Sequence, residues 1–345
     1  ESLKETLYKG MKSHGLDEAT SDRIYSTIQA FANFGFAESH SLSFALLVYS
    51  SAWLKLHYPA IFLAGLLRAW PMGFYSPASL VSDAERHGVT VRRPSVQYSD
   101  VYTSVEPISH KKASPTGLES CLNFQQPKPS SVFDPRKQDP TKFHRRDGEL
   151  ATRLGLASIK GIGVETASQI IEERNKHGIF IDANDCARRV DLKTRQLEAL
   201  AEAGALEDLK LTRREGLWLA GYLARESPNR LSSTAEAPQL PLFPEISEYE
   251  SMVLNRMLTG ISAGDHPFRY LRSWLKNQGV CSIRETENYS SGQKVSLAGL
   301  VTHRQRPSTA QGITFLNLED ETGLINVICS RGFWKSKRAI LRNAK

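Results

Sequence analysis

The sequence predicts a multidomain, mainly α-helical protein that ends in a truncated β-barrel. Apolar residues recur at helical spacing over residues 1–90, 150–225 and 248–277, which predicts amphipathic helices. From about residue 294 the apolar residues alternate instead, which is typical of strands. A chain of 345 residues is long enough for roughly two or three domains with their own cores.

Residues 1–103 form the first predicted domain, and its helices have recognisable starts. Ser39 can cap a helix that runs to about His57, and Pro59 suits the first turn of the next helix. Charged residues and Pro59 interrupt the apolar stretch 42–70. That stretch therefore predicts two buried helices rather than a membrane span.

Two polar segments separate the predicted folded regions. Residues 104–148 are rich in Ser, Pro, Lys and Gln, which predicts a disordered linker or insertion, and residues 226–247 predict a second linker. Residues 149–225 form a helical region, and residues 248–290 form a helical connector. Residues 291–345 then contain about three strands and a closing helix, which predicts part of a barrel of the oligonucleotide-binding (OB) type, whose complete form has roughly five strands.

The charge balance favours a polyanionic partner. The net charge is +7, while 40% hydrophobic and 23% charged residues are typical of a soluble globular protein. The four cysteines have neither a metal-binding spacing nor a disulfide framework, which indicates a reducing, cytoplasmic compartment. Because the chain begins with Glu1 rather than Met, we expect it to be a piece of a longer protein.

The strongest local motif is Lys160-Gly161-Ile162-Gly163, which predicts a helix-hairpin-helix. Two glycines around one apolar residue allow a tight hairpin whose backbone N–H groups, together with the next helix N-terminus, can hold a phosphate without reading a base. Lys160 adds positive charge, and Ile162 is expected in the core. Thr166, in the first turn of the second helix, is predicted to bind DNA together with residues 160–163. The alternative is an ordinary glycine turn between helices.

Residues 181–209 look like a degenerate second copy of this motif. The loop at residues 190–193 lacks the glycines. We therefore expect the second copy to support the first hairpin rather than to bind a ligand itself.

Arg304, Arg306 and Phe315 form a candidate platform for single-stranded nucleic acid. Arginine neutralises phosphates, and an aromatic ring stacks on bases. The alternative is that Phe315 faces the core and the arginines are solvated.

A peptide between the proline-flanked linkers is a candidate partner-binding segment. Gln239, Leu240, Leu242 and Phe243 suit insertion of an extended peptide into an apolar groove on another protein. The alternative is a loop folded against its own domain.

No catalytic or metal-binding residue is predicted in this chain. The nearest candidates are Asp83 with Glu85, Asp182 with Asp185, and Asp320. Each lies in a helical or turn context without a second carboxylate cluster, whereas two-metal catalysis needs carboxylates that converge.

Several segments together resemble the bacterial C-family DNA polymerases. Phe31-Ala32-Asn33-Phe34-Gly35-Phe36-Ala37-Glu38-Ser39-His40-Ser41 resembles the end of their fingers domain, as do Trp53-Leu54-Lys55 and His57-Tyr58-Pro59-Ala60. The resemblance covers nearly the whole chain except about residues 104–148.

Sequence variants indicate the error-prone (translesion) branch of that family rather than the replicative alpha subunit. Ala37-Glu38 stands where the replicative form usually carries Asn-Lys. Pro71-Met72-Gly73-Phe74-Tyr75-Ser76-Pro77 and Arg304-Gln305-Arg306-Pro307 also resemble the error-prone branch.

The resemblance implies a C-terminal portion of a polymerase that contacts a primer–template duplex and a single-stranded template. It implies damage-induced translesion synthesis by nucleotidyl transfer, with two Mg²⁺ ions held on palm aspartates. That palm precedes the fingers in the family, so we expect this segment to bind no cofactor and to be inactive alone. Ser39 and His40 match the segment facing the nucleotide cleft. Residues 239–243 lie where relatives carry a sliding-clamp-binding peptide, although error-prone members often reach the clamp through accessory proteins.

Three other interpretations remain open. The chain could belong to a replicative alpha subunit, or it could be a free-standing DNA-binding or clamp-tethered scaffold. A structure-specific nuclease is disfavoured, because no metal-binding carboxylate cluster accompanies the hairpin.

Overall fold

The computed structural model describes residues 3–32, 38–73, 75–108, 145–225, 244, 246–261 and 265–344. Within these ranges the protein is mainly helical and has two three-stranded sheets. The helices are α1 (Leu3–Ser13), α2 (Glu18–Ala32), α3 (Glu38–His57), α4 (Pro59–Arg68), α5 (Pro77–Arg86), α6 (Val164–His177), α7 (Ala183–Val190), α8 (Thr194–Glu202), α9 (Arg213–Leu223), α10 (Glu248–Thr259), α11 (Pro267–Asn277) and α12 (Arg331–Asn343). The strands are β1 (Val91–Arg92), β2 (Ser104–Pro107), β3 (Leu150–Arg153), β4 (Leu300–Gln305), β5 (Thr314–Asp320) and β6 (Gly323–Cys329).

The chain divides into a unit of residues 1–54 and a unit of residues 55–345. In the first unit, α1 and α2 meet through the rings of Tyr8 and Tyr25, whose centroids lie 5.6 Å apart. The part of α3 in this unit exposes its apolar side chains, among them Leu42 and Tyr49, so the expected burial of this helix is wrong. None of the described helices is long and apolar enough to cross a membrane.

A small mixed sheet opens the second unit. Strand β3 lies between β1, to which it is parallel, and β2, to which it is antiparallel. Strand β2 forms the start of the expected linker 104–148 and pairs with β3, which follows the linker. Near the other end of the linker, the buried Asp147 side chain accepts hydrogen bonds from Ala60 N at 2.7 Å and Ile61 N at 3.2 Å. Both ends of that segment are therefore folded, because their backbone groups pair with distant residues.

Helices α6 to α9 surround one apolar core. Its most buried side chains include Phe180, Leu197, Leu200 and Leu206, each no more than 1% exposed. The loop before α6 contributes Ile159 and Ile162 to this core, and the loop before α8 contributes Leu192. The core therefore holds both loops in place.

The C-terminal strands form an antiparallel sheet in the order β4-β5-β6. Asp320 closes the β5–β6 turn, since its Oδ1 accepts from Thr322 N at 2.7 Å and Gly323 N at 3.1 Å. The strands and the closing helix α12 follow the sequence prediction. The barrel itself is not confirmed, because β4 and β6 are edge strands and no further strand of the described residues pairs with them to close the sheet.

Candidate nucleic-acid interface

The first hairpin lies between a short 3-10 turn at Leu156–Ser158 and helix α6. Gly161 has φ +97°, a conformation that favours glycine. Ile162 is 3% exposed and enters the core, as predicted, while Lys160 is exposed. Gly163 is the N-cap of α6 with φ −76° and ψ 167°. The backbone path therefore turns the loop outward and buries only its apolar residue.

The N-terminus of α6 presents unused hydrogen-bond donors. Gly163 has no side chain that could cap the helix, and the N–H groups of Val164 and Glu165 find no acceptor among the described residues. A Cβ built on Gly163 would meet no atom within 4 Å. Open space therefore lies before the partly positive end of a helix, an arrangement suited to an anion.

The second hairpin has the same backbone form as the first. Asp191 takes the left-handed position of Gly161, with φ 54°. Leu192 is 3% exposed in the core, and Lys193 is the N-cap of α8 with φ −79° and ψ 156°. The missing glycines predicted a loop that only supports the first hairpin, but Asp also tolerates a left-handed backbone. The geometry of this loop is therefore compatible with a phosphate contact like that expected of the first hairpin.

A side-chain amide joins the two hairpins. Gln196 Nε2 donates to Thr166 Oγ1 at 2.9 Å, and Gln196 Oε1 accepts from Lys193 N at 2.8 Å. A Cβ on Gly161 would lie 3.4 Å from the Cβ of Ala199. The two helix N-termini are thus neighbours, and the Thr166 hydroxyl is engaged in holding them together.

The second hairpin carries more exposed positive charge than the first. Lys193 and Arg195 are exposed there, against the carboxylate of Asp191. In the first hairpin the exposed Lys160 is accompanied by Glu165 in the first turn of α6. Lys193 and Arg195 were not among the predicted binding residues, although two basic residues at the start of a helix favour an anionic ligand.

The predicted platform of Arg304, Arg306 and Phe315 is not assembled as expected. In the sheet, Arg304 pairs with Leu316, whereas Phe315 pairs with Gln305. Because successive residues of a strand point to opposite faces, Phe315 and Arg304 lie on opposite sides of the sheet. Phe315 is half-buried, and it does not complete a stacking surface with Arg304.

Arg304 borders a basic depression instead. The depression has a volume of about 390 Å³ and is lined by Arg256, the β4 residues from Leu300 to Arg304, and Ala344. Arg304 Nη2 donates to the carbonyl of Ala344 at 2.8 Å. Arg306 lies over the ring of Trp334, 5.6 Å from its centroid.

Other predicted positions do not join this interface. Gln239, Leu240, Leu242 and Phe243 lie outside the described residues. His40 is exposed near the start of α3, and Ser39 belongs to the same helix. Within the described ranges, no three His, Cys, Asp or Glu side chains converge as metal ligands would.

Comparison with known proteins places these features in a family. Residues 88–216 match the helix-hairpin-helix motif family. The chain is similar to the error-prone DNA polymerase of Cutibacterium acnes, with 46% identity over 100% of the chain and 31% of that protein. It is also similar to the error-prone DNA polymerases of Mycobacterium tuberculosis strain H37Rv, at 42% identity over 99% of the chain and 28% of that protein, and of Corynebacterium jeikeium, at 40% identity over 100% and 30%. These relatives confirm the resemblance, although the chain spans less than a third of their length. Over its whole length the chain therefore matches one part of proteins named error-prone DNA polymerase.

Proposed function

We propose that this chain holds DNA by its sugar-phosphate backbone within an error-prone DNA polymerase. The observation that carries the proposal is the pair of neighbouring helix N-termini joined by Thr166 and Gln196. Backbone N–H groups there contact phosphates without reading bases, and Lys160, Lys193 and Arg195 add charge. Contact that does not depend on the base sequence suits an enzyme that must move along its own product.

The longer protein is proposed to perform template-directed nucleotidyl transfer with Mg²⁺, during damage-induced translesion synthesis in the bacterial cytoplasm. The names of the relatives support this reaction, and the chain corresponds to 28–31% of three of them. Ser39 and His40 are proposed to lie near the nucleotide cleft of the complete polymerase. The chain by itself is expected to give no primer extension.

Substitution of Gly163 tests the hairpin directly. A leucine there is compatible with φ −76° and meets open space, so the fold is expected to survive. The side chain would occupy the place of a phosphate, and we expect affinity for a primer–template duplex to fall by about tenfold, equal to about 1.4 kcal/mol. Fluorescence anisotropy at fixed salt measures the affinity, and thermal melting confirms the fold.

Gly221→Leu is the matched control, because Gly221 is exposed on α9 and also faces open space. It is expected to leave duplex affinity unchanged. Unaltered affinity of a folded Gly163→Leu variant would show that the first hairpin does not contact DNA.

The C-terminal sheet is proposed to be part of an OB-type fold that contacts the single-stranded template. Arg304 borders the basic depression with Arg256, which supports a phosphate contact on that side of the sheet. Arg304→Gln is expected to weaken binding of a single-stranded oligonucleotide, whereas Phe315→Leu is expected to have a smaller effect.

Residues 239–243 are proposed to bind the sliding clamp, either directly or together with translesion accessory proteins. Replacing Gln239, Leu242 and Phe243 with alanine is expected to abolish clamp pull-down, while Asn229→Ala with Leu231→Ala serves as a control in the same segment. If the unaltered chain fails to retain the clamp with or without accessory proteins, the peptide is not a clamp-binding site.

A further inference from the structure

Helix α12 carries a concentration of positive charge that the hairpins do not explain. Arg331, Lys335, Lys337, Arg338 and Arg342 are all exposed, and residues 330–344 contain no Asp or Glu. None of the five forms an ion pair with a carboxylate of the described residues. The surface of this helix is therefore basic without local neutralisation.

Arg342 lies in the last turn, where the helix dipole favours a cation, but other parts of this charge oppose the stability of the helix. Arg331 lies in the first turn, where the helix dipole disfavours a cation. Lys335 follows Arg331, and Arg342 follows Arg338, at the four-residue spacing at which like charges repel. A merely solvated helix face usually mixes both signs of charge. An external anion would account for this arrangement.

Two arginines converge at the start of α12. A Cβ placed on Gly312 would lie 3.3 Å from Cγ and Cδ of Arg331 and 3.6 Å from Nη2 of Arg306. The Arg306 guanidinium also lies over the ring of Trp334, which is buried. The fold therefore holds two cationic side chains near one loop.

The positive surface continues at the other end of the helix. Arg338 and Arg342 line a depression of about 540 Å³ that ends at Asn343. The next residue, Ala344, lines the depression beside Arg304 and accepts its hydrogen bond at 2.8 Å. The backbone bends at Lys337, where φ is −117°, so the helix consists of two segments. Together they form a track from the Gly312 loop to strand β4.

We propose that α12 and Arg306 bind the phosphodiester backbone of a nucleic-acid strand at a site separate from the two hairpins. The helix has 13 residues and is about 20 Å long, so it can lie alongside several successive phosphates of a strand. A basic helix can also bind an anionic membrane through its apolar side. Here Trp334 is buried in the protein's own fold, and the exposed apolar side chains of α12, Phe333 and Ile340, are outnumbered by its five cations, which favours nucleic acid. The inference deepens the proposed function and rests on it only for the class of ligand.

The test uses the whole chain with Lys335→Gln and Arg338→Gln combined. Both side chains are exposed, so the fold is expected to be retained, which thermal melting checks. Binding of a labelled single strand and of a duplex of equal length is measured over a range of salt concentrations. Loss of two phosphate contacts should reduce the slope of log affinity against log salt by about 1.4 for the single strand or about 1.8 for the duplex. The nucleic acid whose salt slope falls, single strand or duplex, is then identified as the ligand.

Lys276→Gln with Arg284→Gln is the matched control, since it removes two exposed positive charges elsewhere in the same unit. It is expected to leave both slopes unchanged. An equal loss in the control would mean that only net charge matters, and an unchanged slope in the α12 variant would also overturn the proposal. Loss of binding to phosphatidylglycerol vesicles, with nucleic-acid binding intact, would assign the helix to a membrane instead.

The hairpin variant separates this proposal from the function proposed above. If Gly163→Leu leaves duplex affinity unchanged while the α12 variant lowers the salt slope, the hairpin assignment fails and the α12 site stands. If Gly163→Leu weakens duplex binding while the α12 variant behaves like its control, the hairpin stands and the α12 site is rejected.

Discussion

Gln196 and Thr166 occupy matching places in the two hairpins and are hydrogen-bonded to each other, with Nε2 and Oγ1 2.9 Å apart. The same amide accepts from the backbone of Lys193 at 2.8 Å. One side chain thus connects the loop of the second hairpin to the helix of the first. The distance between the two candidate phosphate sites depends on this contact.

Removal of this amide should weaken both the fold and DNA binding. Gln196→Ala loses two hydrogen bonds, one partly buried and one exposed, so we expect the free energy of unfolding to fall by about 1–2 kcal/mol. Thr166→Val keeps the shape and loses one bond, which predicts about half that effect. Urea denaturation and duplex anisotropy measure the two quantities, with the exposed Gln305→Ala as control. Equal behaviour of Gln196→Ala and the control would contradict a bridging role.

The two hairpin glycines should differ in their tolerance of alanine. Gly161 has φ +97°, and a Cβ there would lie 3.4 Å from that of Ala199, so Gly161→Ala should destabilise the fold by about 1–2 kcal/mol. Gly163 has an ordinary φ and open space, so Gly163→Ala should leave stability within about 0.5 kcal/mol. Chemical denaturation measures the free energy of unfolding of both variants. Similar losses of stability in the two variants would contradict the assigned backbone geometry.

The stability that Glu106 gives to the pairing of strands β2 and β3 should be lost at acid pH. Burial raises the pKa of Glu106, but hydrogen bonds from Arg153 and Arg92 lower it by more, so the pKa lies below its usual value of 4.5. A depressed pKa stabilises the folded state above pH 4.5, and this stability is lost as the pH falls further. Glu106→Gln should cost about 2 kcal/mol at pH 7.

Melting temperatures from pH 7 down to pH 3 test this linkage. The difference between the parent chain and Glu106→Gln should shrink below about pH 4.5. Glu149→Gln, which removes an exposed carboxylate close in sequence to β3, should show no such convergence. A constant difference over the whole range would show that the Glu106 carboxylate is not stabilised by its arginines.

Cys186 should be protected from alkylation in the folded protein. It is fully buried in the hairpin core, and burial raises the pKa of its thiol from 9.0 to about 12. Since the raised pKa favours the thiol, its stabilising contribution is complete below pH 9 and is lost as the pH rises towards 12. Iodoacetamide at pH 8.5 should modify Cys186 at least ~100-fold more slowly than the partly exposed Cys281. Equal rates, read by mass spectrometry, would contradict the burial of Cys186.

Features governed by neighbouring residues were predictable from the sequence. Gly161 and Gly163 around Ile162 predicted the first hairpin and its buried apolar residue, because glycine determines which backbone angles are accessible. The alternating apolar residues after position 294 predicted the three C-terminal strands. The family resemblance likewise followed from local segments.

Features that depend on distant residues required the tertiary structure. The pairing of β2 with β3 folds both ends of a segment whose composition predicted a linker. The register of β4 and β5 separates Arg304 from Phe315, because a shift of one residue exchanges the two faces of a strand.

The same division applies to the candidate site itself. Each hairpin loop follows from its own residues, since backbone angles are set by local sterics. The neighbouring placement of the two loops, through Gln196 and Thr166, depends on how helices α6 to α9 pack around a common core. Local sequence therefore determined that the N-terminus of α6 is open at Gly163, whereas only long-range packing brought a second helix N-terminus beside it.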